Sequence, residues 1–150
     1  MKHEAITVGM ILKTAFDNFG IQVAKEPTLI QWVTREYGVS RREINSMQGF
    51  IASFADNGDY HIQLEDVIIS AADFEPFKIA SMDIEVTLEN RTWTNIKIYS
   101  QEEELPSRKY ADSKILEERL NSIIEIVQRV LSFLLLIWEA IKAAKGFFSS

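Results

Sequence analysis

An α+β fold follows from three observations on this 150-residue chain. Residues 113–148 carry apolar side chains at alternating spacings of four and three with no Pro or Gly before Gly146, which marks one long helix. From Tyr60 onward the apolar period changes to two, which marks strands with one wet face. Residues 6–19 return to helical spacing and are closed by Gly20. The expected architecture is a set of N-terminal helices, an antiparallel three- to four-stranded β-meander and a long C-terminal helix. It divides into an α+β body over 1–112 and an oligomerisation or docking helix over 113–150.

In chain order, Val8, Leu12, Ala15, Phe16 and Phe19 share one face of the first helix, an inward, core-packing face. Residues 21–24 suit a short extended piece. Lys25-Glu26-Pro27 then breaks the chain, because the residue before proline is pushed out of helical geometry.

The spacings Thr28…Gln31 and Ser40…Glu43 are those of capping boxes. Ile30, Val33 and Tyr37, then Ile44, Met47, Ile51 and Phe54, supply inward faces for two short helices over 28–37 and 40–55, joined at Gly38-Val39. Over 29–50 the stretch LIQWVTREYGVSRREINSMQGF resembles the helix-turn-helix of DNA-binding regulators. The Gly-Val-Ser turn, Val33, Ile44 and Met47 match the apolar positions of that motif. The resemblance implies a second helix in the major groove, with Arg41, Arg42, Asn45 and Gln48 facing bases and phosphates. A helical corner with this spacing is also common as plain core.

Asp56-Asn-Gly-Asp59 is a turn by composition. A calcium loop measured back from Gly58 would need a ligand at Leu64, so that reading fails. Tyr60, Ile62 and Leu64 alternate with His61, Gln63 and Glu65. The alternation breaks at Val67-Ile68-Ile69, and on the following strand it shifts between Ile79 and Met82, which predicts a bulge near Ala80-Ser81. Opposing Ile84 to Ile98 and Val86 to Ile96 requires a hairpin loop with an odd number of residues. Asn90-Arg91-Thr92 is the obvious one, and this register sets Glu85 against Lys97.

Residues 101–111 read as a polar connector, and Asp112 or Ser113 as the cap of the last helix. In that helix Leu116, Leu120, Ile123, Val127, Val130, Leu134, Ile137, Ile141, Ala144 and Phe148 form an a/d seam. Its flanks, such as Ile124, Leu131, Trp138, Ile126 and Phe133, are apolar too. Glu118, Glu125, Ser132 and Glu139 form a narrow wet stripe. At ~1.5 Å per residue the helix runs about 50 Å, against a diameter of roughly 38 Å for a compact chain of this length. It should overhang its body and need cover from elsewhere.

Composition narrows the function. A net charge of −6 and a pI near 5.0 disfavour general binding to phosphate backbones. The absence of cysteine excludes disulfides, a thiol nucleophile and thiolate metal sites, and fits the cytoplasm as the expected compartment. The start does not read as a signal peptide. The longest charge-free run of the last helix, 130–138, falls well short of the roughly 20 residues a membrane span needs. Its stripe is mostly Glu rather than Lys and Arg, which also disfavours a membrane-surface role.

There are two histidines, His3 and His61, with no paired metal-ligand spacing. There is no glycine-rich phosphate loop and no Gly-flanked serine. The expectation is therefore a non-enzymatic protein without catalytic residues, metal or cofactor. It would self-associate or join a larger complex through Val130, Leu134, Ile137, Trp138, Ile141 and Phe148. The alternative is a helix-turn-helix DNA-binding regulator that dimerises through the same helix.

Overall fold

The computed structural model describes residues 6–53, 57–71, 74–100 and 113–149. In order, the elements are α1 (Val8–Phe19), β1 (Ile21–Val23), β2 (Thr28–Arg35), β3 (Gly38–Ile44), α2 (Met47–Ser53), β4 (Gly58–Ala71), β5 (Phe74–Glu89), β6 (Thr92–Ser100) and α3 (Ser113–Ser149). The α+β class holds, with more strands than the meander alone supplies. The strands form a six-stranded sheet in the order β3-β2-β4-β5-β6, and β1 lies against β4 beyond the end of β2. The expected connector over 101–111 and a cap at Asp112 lie outside the described residues.

α1 begins where the Thr7 hydroxyl accepts from the Met10 backbone N–H at 3.2 Å. It ends at Gly20, whose φ of 113° is a left-handed exit. A Cβ there would stand 2.9 Å from the Ser70 carbonyl oxygen, so the position excludes a side chain on two counts.

Residues 28–44 depart from expectation. They form a β-hairpin, with Leu29 opposite Ile44 and Arg35 opposite Gly38, and not two helices. The helical stretch expected over 40–55 is reduced to α2, so no second helix stands where a helix-turn-helix needs one. The reason is non-local. The segment is rich in β-branched and aromatic residues (Ile30, Trp32, Val33, Thr34, Tyr37, Val39), and β2 finds a partner in β4 from Thr28↔Gln63 to Trp32↔Asp59. Apolar residues three and four apart imitate a helix until that partner is known.

β4 and β5 keep one register from Gly58↔Leu88 to Ile69↔Phe77, so the bulge expected near Ala80-Ser81 is absent. The change of face is nonetheless real, and both strands make it at the same level. Leu64 and Val67 are buried on β4, Met82 and Ile79 on β5. Asp66, with φ 52°, turns the pleat over between them. The β5–β6 hairpin likewise reaches its expected end by another route. Ile84 faces Ile98 and Glu85 faces Lys97 as the patterning requires. The turn, however, is the two residues Asn90-Arg91, both at positive φ, the geometry that suits a tight hairpin. The odd residue is absorbed between Glu85 and Thr87, where the register steps and Asn95 has φ 54°, so Val86 and Ile96 are not a pair.

One core joins the helices to one face of the sheet. It contains Leu12 and Phe16 of α1, Phe50 of α2, Ile62, Leu64 and Ile84 of the strands, and Val127, Val130, Leu131 and Leu134 of α3. Two indoles bind α3 and α2 into this layer. Trp93 Nε1 donates to the Leu131 carbonyl at 2.8 Å, and Trp138 Nε1 to the Ile51 carbonyl at 3.0 Å. Beneath them the Tyr60 hydroxyl donates to the Ser53 carbonyl at 2.8 Å and accepts from Gln31 Nε2 at 3.2 Å. A buried phenol and a buried amide thereby satisfy each other in the core.

Candidate functional site

α3 is one unbroken helix of 37 residues, about 55 Å at 1.5 Å per residue. Its own sheet covers much of what was expected to face a partner. Val130 and Leu134 are 0 % exposed and Trp138 is 2 % exposed, so these three belong to the core. Ile137 and Ile141 are half-buried. Phe148 has a side chain outside those described. The cause is plain: the six-stranded sheet, with α1 and α2 packed on the same face, makes a broader apolar seat than a three-stranded meander, and it accommodates the helix over 123–138.

What α3 leaves open lies on the other side. Phe133 is 39 % exposed and Leu136 66 %, and Arg129, Ala140 and Ala143 are exposed as well. The spacings 129, 133, 136, 140 and 143 repeat the four-three alternation, so this is a second heptad seam facing away from the core. Sequence reasoning placed Phe133 only as a flank of the inward seam. The signal was present in the spacing, but the longer, greasier seam on the opposite face masked it.

The new seam has a different neighbour on each flank. On one flank the Phe19 ring of α1 meets Phe133 edge-on, with centroids 6.2 Å apart. On the other flank Arg91 of the β5–β6 turn lies 3.6 Å from Glu139 and 5.6 Å from the Trp138 ring centroid, and Lys142 lies 4.8 Å from the same centroid. Arg129 is paired with Glu125 at 3.1 Å, one turn back. Over 139–144 every residue but Ile141 is exposed, so here the helix begins to leave its body.

The uncovered face of the sheet carries a groove of about 630 Å³ lined by Trp32, His61, Glu85, Thr87 and Lys97 among others. Its polar groups largely answer one another. His61 Nε2 lies 3.2 Å from Glu85 Oε1, Trp32 packs edge-on to the imidazole, and the Thr87 hydroxyl donates to Asp59 at 2.8 Å. Trp32 Nε1 is buried without an acceptor.

Arg41 and Arg42 are exposed on the edge strand β3, in successive positions that point to opposite sheet faces. Asn45 lies in the link between β3 and α2, where its carbonyl accepts from the Val8 N–H at 3.0 Å, and Gln48 is exposed on α2. The four do not form one helical face. Among the described residues no group of three or more His, Cys, Asp or Glu is placed to hold a metal ion. No helix there is long and apolar enough to cross a membrane. No protein-family model matches the chain, and neither a curated protein nor a solved structure matches it.

Proposed function

We propose that this chain is a non-enzymatic protein–protein interaction protein whose docking surface is the outward seam of α3. The observation that carries the reading is the pair Phe133 and Leu136. They are large apolar side chains one turn apart, exposed on a helix whose opposite face is fully engaged. Single exposed apolar residues are ordinary, but adjacent ones at helical spacing, continued by Ala140 and Ala143, form the kind of stripe a partner helix covers. The small alanines allow close approach. The docking surface therefore shifts from the six residues expected to the strip from Arg129 to Ala143, and Ile137 borders it.

The test is the size of the chain in an extract of its own cells. The wild type should run well above its 17.2 kDa, and Leu136→Asp should run as the free chain. A wild type that runs free in the extract and also stays monomeric when pure and concentrated removes this reading.

A further inference from the structure

Resting on that reading, we infer that the occupant of the seam is a second copy of this chain, lying antiparallel across a two-fold axis between Leu134 and Leu135. The argument is one of register. In an antiparallel helix pair the layers join positions whose numbers have a constant sum. With the axis at that point, Phe133 meets Leu136 of the second copy and Arg129 meets Ala140. Each layer sets a large side chain against a smaller or complementary one, and the two central layers hold all four exposed large apolar residues. The outer layers have space, because Ala140 leaves room for the Arg129 stem to cross and reach Glu139 of the second copy.

Charge selects the orientation. Antiparallel pairing brings Arg129 to Glu139 at both ends of the contact. Parallel pairing would set Arg129 against Arg129 and Glu139 against Glu139. Arg129 and Glu139 are both more than half exposed, and their present partners, Glu125 and Arg91, hold them at the surface where exchange is easy. Between the Phe19 side and the Arg91 side, Phe133, Leu136 and Ala140 are exposed.

The contact spans residues 129–140, about 17 Å of helix. A single helix pair of this length falls below the roughly 1,200 Å² typical of stable complexes, so the dimer is a weak, concentration-dependent one.

The experiment is sedimentation equilibrium of the purified full chain from about 10 μM to about 1 mM, the range of weak association. The wild-type mass should climb from 17.2 kDa toward twice that value. Leu136→Asp should stay at the monomer mass with an unchanged circular-dichroism melt. Arg129→Glu and Glu139→Arg, each alone, should associate at least about tenfold more weakly than the wild type. Mixed one to one, they should recover, because each contact in the mixed pair again joins opposite charges.

A wild type that remains monomeric throughout overturns the inference. So do single variants that associate as well as the wild type, which is the parallel outcome, and a mixture that fails to recover. A wild type monomeric when pure but large in extract gives the seam to a different protein and leaves the proposed function standing. Monomeric behaviour in both settings removes both.

Discussion

On one side of α3, Val127, Val130, Leu134 and Trp138 are closed off by the chain's own sheet and helices. On the other, Phe133 and Leu136 stand open at the same level of the same helix. Both sides are apolar at helical spacing, yet the first carries most of the packing in the isolated chain, and Leu136 on the second carries little. Burial of a large apolar side chain is worth roughly 1.5–3 kcal/mol, and a side chain left in water forgoes that gain until something covers it. On the proposed reading, a helix that is apolar on two sides divides its work between holding the fold and meeting a partner, and substitutions can separate these roles.

The largest separation should come from Leu134→Ala. This side chain is fully buried among strands and helices, and its loss costs the transfer term and a cavity, about 2–5 kcal/mol together. At ~2–4 °C per kcal/mol for a chain of this size, the melting midpoint should drop by several degrees at least. Calorimetry reads it directly. A fall of less than a degree would mean that the inward seam is not part of the core.

Tyr60→Phe should come next. It removes the donor to the Ser53 carbonyl and the acceptor for Gln31 Nε2, and it strands both partners in a buried setting. An unsatisfied buried group costs roughly 1–3 kcal/mol. Urea denaturation should show a lower midpoint with an unchanged slope, because the same surface is exposed on unfolding. An unchanged midpoint would show that water or another group takes over these bonds.

The same contrast explains how much of the molecule was legible in its sequence. The first helix and its glycine stop, the pairing of Glu85 with Lys97, and the single long last helix could all be read, because each depends on neighbours along the chain. The hairpin over 28–44 could not. Its residues sit three and four apart as in a helix, and the strand that decides the matter, β4, lies about thirty residues further on. The missing bulge near Ala80 was hidden for a similar reason. A change of face in one strand implies an extra residue, unless its neighbour changes face at the same level, and Asp66 at positive φ makes β4 do so. The site was half legible. The spacing pointed to α3 as the element to inspect, but a face count made without the full sheet chose Val130, Leu134 and Trp138, which the chain itself buries.

The smallest effect sharpens the contrast most. Leu136→Ala removes as many carbon atoms as Leu134→Ala, two positions away on the same helix, but at a site 66 % exposed instead of fully buried. Alanine has a slightly better helix propensity than leucine, and little apolar area is lost from the monomer. In dilute solution, where chains are single, the melting midpoint should move by the equivalent of no more than about 0.5 kcal/mol in either direction. At high concentration the comparison changes. Anything that binds only the folded chain raises its apparent stability, and the wild type should then gain over the variant in a concentration-dependent way. A variant that tracks the wild type at every concentration would mean that Leu136 meets no second copy. A variant already several kcal/mol weaker when dilute would mean that Leu136 is packed against its own chain after all, and the division of α3 into two working faces would fail with it.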